Sequence, residues 1–298
     1  MEDKQGNIKQ EAENQQFLNL EKVIADKNPR LLKLIPGFVM RYMKRILHVE
    51  DLNRILEENR GVNGLGFVQA GLDEMDAKIV VVGKKNIPEK ERFIAASNHP
   101  LGGPDGLTLI NVVGKVRPDV IFPVNDILMN VPNMKELFIP INKHGRNVEN
   151  MKLMDEAFAS DVALLYFPAG LCSRKQSGKI IDLEWKKTFI TKAKKFQRWV
   201  LPVHIHGKNT NFFYRLSNLR KRLGIKANIE MFYLVDEMYK QKRKTLKITF
   251  GEPIHHDVFD DRFTDKEWAG LIREYIYLLA EDPDFTFNSF LNNRIQAK

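Results

Sequence analysis

The stretch SNHPLGGPDGLTL, Ser97 to Leu109, sets a histidine and an aspartate six positions apart in a turn of prolines and glycines, directly after the apolar run RFIAA. PLGGPDG continues neither strand nor helix, so the imidazole of His99 belongs on an exposed turn. If Gly102 and Gly103 let the turn fold tightly, Asp105 comes back to His99 and accepts a hydrogen bond from one ring nitrogen. The tautomer is then fixed, and the other nitrogen is a base able to take a proton from a hydroxyl. Spacing alone does not single out this pair. His255 with Asp260, His256 with Asp261 and His144 with Glu149 stand at comparable separations, so context must decide.

Two further segments place reactive residue types at strand ends. YFPAGLCSR, Tyr166 to Arg174, follows an apolar run with proline, glycine, a hydroxyl and a cation, and VLPVHIHG from Val200 is a strand with an internal proline. Arg174 and Lys175 would activate Cys172 as a nucleophile, but an incidental thiol is the better reading. His204 and His206 alternate along one strand and fall on the same face, as two metal ligands do. No third ligand follows at a recognisable spacing, so ordinary histidines are favoured and no metal site is expected. Trp185, Phe189, Phe196 and Trp199 read as core. Phe212 to Leu216, FFYRL, reads equally as packing or as the lining of an acyl channel.

The elements that must position these residues are legible as alternating runs. KIVVVG, RFIAAS, DVIFPV, LFIPI, VALLYF, WVLPVHI and LKITF are short and apolar. Helical stretches lie between several of them, at Val148 to Ser160 and Leu183 to Arg198, with another at Asp265 to Glu281. Continuous apolar strands alternating with helices predict an α/β fold: a mostly parallel, buried sheet flanked by helices, with an N-terminal helical extension. In such sheets ligands collect where strands end.

The chain of 298 residues is 43% hydrophobic and 29% charged, enough for one large domain with an extension. Cys172 stands alone, which excludes a disulfide framework and a cysteine-based zinc site and suits a reducing compartment. The polar start lacks the apolar core of a secretory signal, so a cytoplasmic setting is expected. No run reaches the roughly 18 uncharged apolar residues that span a bilayer. Pro29 to His48 mixes apolar residues with five cations and no acid, the composition of a helix lying on an anionic surface or packed on its own domain, broken at Pro36–Gly37. Residues 1–60 are thus read as a polar tail and amphipathic region that is a candidate for a membrane surface, and 61–298 as the α/β domain. The net charge is +9, yet Leu171 to Lys226 holds fifteen Lys/Arg against Asp182 and Glu184, a local balance of +13. An anionic partner follows, whether a membrane, an anionic carrier or nucleic acid.

The Asn-His turn, the Phe-Pro-Ala-Gly element and the later proline-containing strand, in this order, resemble the phospholipid and lysophospholipid acyltransferase superfamily that includes 1-acylglycerol-3-phosphate acyltransferases. The resemblance covers roughly Lys78 to Ile254. It implies that His99 is the general base and Asp105 its orienting partner. Five residues separate them where the superfamily usually has four, a longer turn that resembles a subgroup of hemolysin-like proteins and aminolipid-synthesis enzymes. It also implies that Lys143 or Arg146, in LFIPINKHGRN, meets an acceptor phosphate. Asn98, Pro100, Gly102, Gly103, Phe167, Pro168, Ala169, Gly170, Ser173 and Arg174 would form the substrate-binding surface. Ala169 stands where the superfamily carries a glutamate that arranges a glycerol phosphate, which favours another acceptor, such as a lyso-aminolipid with a free hydroxyl on its 3-hydroxy fatty acid. The implied reaction is direct transfer from a thioester, acyl carrier protein or coenzyme A, with no cofactor and no acyl-enzyme. Backbone N–H groups near Gly102–Gly103 or Gly170 would meet the oxyanion. Membrane lipids are the expected partners, at the inner face of the cytoplasmic membrane. Two rival readings are a nucleic-acid-binding protein, on the cations and aromatics of KKTFITKAKKFQRW, and a membrane-binding protein without catalysis.

Overall fold

The computed structural model describes residues 18–141 and 148–296. The chain divides into two compact units, Met1–Gly61 and Val62–Lys298. The first holds α1 (Leu20–Lys27), α2 (Pro29–Leu34), α3 (Gly37–Ile46) and α4 (Val49–Glu58). Pro36 stands between α2 and α3, where its missing N–H and fixed φ end one helix and precede the next. Leu20, Met40 and Val49 form this unit's small core, and Lys44 pairs with Glu21 at 2.6 Å. On α3, Met40 and Ile46 are buried, whereas Phe38, Arg41, Tyr42 and Arg45 face solvent.

The second unit runs α5 (Gly64–Glu74), β1 (Lys78–Val82), β2 (Phe93–Ser97), α6 (Gly103–Gly114), β3 (Val120–Asn125), β4 (Phe138–Ile141), α7 (Val148–Ala159) and β5 (Ala163–Tyr166). It continues with β6 (Arg174–Gln176), β7 (Lys179–Ile181), α8 (Thr188–Phe196), β8 (Trp199–Ile205), α9 (Asn211–Arg222), α10 (Leu234–Tyr239), β9 (Thr245–Phe250), α11 (Asp265–Leu278) and α12 (Phe287–Gln296). Seven strands form one sheet in the order β1-β9-β8-β2-β5-β3-β4. Every pairing is parallel except β8 with β9. The mostly parallel, helix-flanked sheet is the predicted class, and each of the seven apolar runs is one of its strands. Phe93, Ile94, Ala95 and Ala96 of β2 are fully buried, as a central parallel strand covered on both faces requires. Pro202 is tolerated in the middle of β8 because the antiparallel ladder is interrupted there. Val203 pairs with Phe250 and Val200 with Ile254, so β9's side carries one more residue than β8's.

Two local features differ from the sequence reading. The glycine-rich GVNGLGFVQAG, to which that reading gave no element, is largely the helix α5, whose Phe67, Val68 and Leu72 are buried. The helix expected from Leu183 to Arg198 begins only at Thr188. The β6–β7 hairpin was not anticipated. It turns at Ser177 and Gly178, both with positive φ, +46° and +84°, the mirror-image turn that suits a tight hairpin.

Candidate active site

β8, β2 and β5 are neighbours and parallel, so the segments that follow them emerge side by side at one end of the sheet. The Asn98–His99 turn follows β2, the Phe167–Arg174 loop follows β5, and Gly207 to Thr210 follow β8. Asn98 ties the first of these to the third: its amide donates to Ile205 O at 2.9 Å and accepts from Ile205 N at 2.7 Å. Pro100 O accepts from Asn209 Nδ2 at 3.2 Å.

Asp105 is the third residue of α6, and its buried carboxylate points back along the turn. Asp105 Oδ2 lies 3.0 Å from His99 Nδ1 and accepts from the N–H groups of Leu101 at 2.7 Å and Gly102 at 3.0 Å. The carboxylate therefore organises the turn and orients the ring together, leaving Nε2 as the nitrogen that could act as a base. The turn needs glycine at 102, where φ is +93° and a Cβ would stand 3.2 Å from Leu234 Cδ2. One face of the ring lies on Phe167, centroids 4.0 Å apart and planes 16° from parallel, and Phe122 meets Phe167 edge-on at 5.1 Å. Burial favours the neutral imidazole. The Cys172 thiol beside it and the Asp105 carboxylate outweigh that effect and hold His99 well above its ordinary 6.5.

The loop after β5 is clamped by a residue that the sequence reading counted only as charge. Asp182, fully buried at the end of β7, accepts from His99 N at 3.2 Å, Ser173 Oγ at 2.6 Å and Trp185 Nε1 at 2.9 Å. Ser173 N in turn donates to His99 O at 2.7 Å. Burial raises the Asp182 carboxyl, and its hydrogen bonds from Ser173, Trp185 and His99 oppose that rise. Its signal in the sequence was only that it is one of two acids within a strongly basic segment.

Arg174 is 1% exposed and already paired. It donates to Glu230 Oε1 at 2.8 Å and to Cys172 O at 2.6 Å, with Phe213 under its guanidinium. Arg220 reaches the same fully buried carboxylate at 2.8 Å. Burial would raise Glu230, but the two guanidinium groups and a backbone hydrogen bond hold it below the ordinary value. Ala169 is buried in the main core, Pro168 is buried, and Gly170 turns the loop at φ +65°. Of the N–H groups considered for an oxyanion, Gly102's is used on Asp105 and Gly170's on Phe167 O at 3.0 Å. Lys143 and Arg146 lie outside the described residues, as does His144.

The competing pairs stand elsewhere. His255 and His256 meet Asp257, at 3.3 and 2.8 Å, not Asp260 or Asp261, and they follow β9, at the end of the sheet opposite His99. They are the one His/Asp group among the described residues spaced to hold a metal ion. His204 and His206 do share a strand face, ring centroids 4.4 Å apart; burial, His206 and Lys247 push His204 down to about 3. In the basic segment, Trp185 and Phe189 are buried and Phe196 packs on the same core, so these aromatics offer no stacking platform. Lys192 and Lys195 pair with Asp155, and Lys194 with Asp265.

A family model described as Acyltransferase matches residues 22–291. The chain is 44% identical to the lyso-glycine lipid O-acyltransferase of Bacteroides thetaiotaomicron, over 88% of this chain and 97% of that one. It is 43% identical to the protein of the same name from Phocaeicola vulgatus, over 88% of this chain and 95% of that one. Among solved structures, the 1-acyl-sn-glycerophosphate (LPA) acyltransferase of Thermotoga maritima aligns with 80% of this chain and 95% of its own, at TM-score 0.46 and 17% identity. The extent of the family match and the identity to those two relatives establish that this chain belongs to the acyltransferase family.

Proposed function

We propose that this enzyme moves an acyl group from an acyl thioester to the free hydroxyl of a lyso-glycine lipid, with His99 as general base and Asp105 as its orienting partner. His99 Nε2 takes the hydroxyl proton as that oxygen attacks the thioester carbonyl. The tetrahedral intermediate collapses with cleavage of the C–S bond, and the imidazolium returns the proton to the leaving thiolate. Transfer is direct, so Cys172 carries no acyl group, and the reaction uses no metal or cofactor. Of the N–H groups considered for the oxyanion, this assigns Gly103, at the N-terminus of α6, as the donor. The donor substrate is an acyl carrier protein or coenzyme A thioester, and the enzyme works as a peripheral protein on the inner face of the cytoplasmic membrane. α3 contributes to that attachment through exposed Phe38 and Tyr42 beside Arg41 and Arg45.

The observation that carries the reading is the carboxylate of Asp105, which takes the His99 ring and two backbone N–H groups on one oxygen. The acceptor rests on the two relatives named for it and on two features of the loop after β5: Ala169 replaces an acid, and Arg174 is neutralised by Glu230 rather than offered to a phosphate. Purified enzyme given a labelled acyl thioester, with lyso-glycine lipid and lysophosphatidic acid as competing acceptors, tests it. Label is expected in the glycine lipid and lost with His99→Ala while circular dichroism is unchanged. Transfer undiminished in His99→Ala defeats the mechanism, and label in phosphatidic acid defeats the acceptor assignment.

A further inference from the structure

We propose that α9 and the short helical turn after it, Ile229–Tyr233, form a membrane-docking surface built into the catalytic unit, which seats the His99 end of the sheet on an anionic bilayer. The inference rests on the lipid-acyltransferase reading and concerns a surface that reading does not require.

α9 has two unlike faces. Phe213, Tyr214, Ser217 and Arg220 are buried. Phe212, Leu219 and Leu223 are 48%, 53% and 63% exposed, on the far face at near-helical spacing. Phe232 of the following turn is 51% exposed, and Phe212 meets Tyr233 edge-on at 4.9 Å, so the apolar stripe runs from the helix onto the turn. A soluble surface rarely carries such a stripe without an apolar partner. Charge identifies the partner. Lys208 to Asn228 contains six Lys/Arg and no acid, and of these Lys208, Arg215, Lys221, Arg222 and Lys226 are exposed. Large apolar side chains among unopposed cations match the boundary between anionic headgroups and acyl chains.

The surface is rigidly tied to the reactive centre. Glu237 accepts from both Thr210 N and Thr210 Oγ1 at 2.6 Å, fixing the start of α9. Glu230 joins Arg220 of α9 to Arg174 of the loop beside His99. Cys172, Phe213 and Tyr214 share one buried cluster, with Leu234 packed against it and against Gly102. α9 also follows β8, whose C-terminal end lies beside that of β2. A bilayer meeting this stripe therefore stands next to the histidine turn, where a lipid acceptor has to arrive.

The test reads immersion at the stripe itself, so attachment through another part of the chain cannot imitate it. Leu223→Cys labelled with an environment-sensitive fluorophore is compared with Lys84→Cys, at the opposite end of the sheet; native Cys172 is buried. With vesicles of phosphatidylglycerol and phosphatidylcholine in equal parts, the label at 223 is expected to shift to the blue and be quenched by brominated lipid, and the label at 84 is not. Neutralising Arg215, Lys221 or Arg222 should weaken vesicle binding roughly five-fold each, and added salt should do the same. Phe212→Ser with Leu219→Ser should lower transfer to acceptor in vesicles while sparing transfer to acceptor dispersed in detergent. Equal loss in both assays, a label at 223 that stays in water on bound vesicles, or a stripe protected instead by an acidic carrier protein or a second copy overturns the proposal. Absence of transfer in every variant and in the parent, with immersion retained, overturns the enzyme reading and leaves the docking surface standing.

Discussion

As the proposed general base, His99 has to be neutral to accept a proton, and its neighbours favour the charged ring. With its pKa above the ordinary 6.5, the base form appears only as pH rises through that higher value. The kcat/KM profile should therefore fall on the acid side, with its midpoint above 6.5. Cys172 is one of the groups that raises the ring, so Cys172→Ala should move that limb to lower pH and keep most of the transfer. A trapped acyl-thioester at Cys172, or complete loss of transfer, would show a two-step mechanism instead. His99→Ala should cost about 10² to 10⁴ in kcat, the ordinary worth of a positioned general base. Asp105→Asn should lower the rate as well and bring the limb down, because the anion that holds the imidazolium is gone. The raised histidine also contributes stability at low pH, which is lost as pH climbs through its folded value.

The loops around His99 are held by two buried carboxylates that the proposed mechanism does not use. Asp182 joins the backbone of His99 to Ser173 and Trp185, so it fixes the segment after β2 against the segment after β5. Asp182→Ala should leave those buried donors unpaired, lower the melting temperature and reduce kcat more than it changes the binding of the thioester. Normal kcat in a folded Asp182→Ala would remove its positioning role. Glu230 answers to Arg174 and Arg220 together, and both guanidinium groups are nearly inaccessible. Glu230→Gln should destabilise by about 3–5 kcal/mol, since it leaves two buried cations without their anion; urea unfolding measures this directly.

At the scale of the molecule, charge is less free than composition suggests. Several cations of the Leu171 to Lys226 segment are paired or buried, while those around the apolar stripe of α9 stand in solvent. The N-terminal unit adds its own exposed residues, Leu34 at 77% and Phe38 at 68%. Leu34→Ser with Phe38→Ser should weaken co-sedimentation with anionic vesicles by about ten-fold or more, as expected when two large apolar groups no longer leave water. Unchanged sedimentation would assign the attachment to other residues. No described helix is long and apolar enough to cross a membrane.

What the sequence determined by itself is local. Apolar runs bounded by glycine and proline marked all seven strands of the main sheet, because a strand covered on both faces has no polar position to hide. The spacing allowed His99 to meet Asp105 but allowed the other histidine–acid pairs as well, and only the resemblance carried by the ordered motifs singled this pair out. The tertiary structure decided what depends on distant parts of the chain. The order β8-β2-β5 brings Phe167 onto His99 and Cys172 beside it, and sheet order is set by packing that no single segment encodes. Asp182 lies 83 residues from the histidine whose backbone it holds, and Glu230 lies 56 from Arg174. A buried charge acquires its partner from the fold, so Arg174 read alone was a free cation and within the structure is a neutralised one. His255 and His256 make the same point in reverse: a similar spacing, carried to the other end of the sheet by β9, meets a different acid.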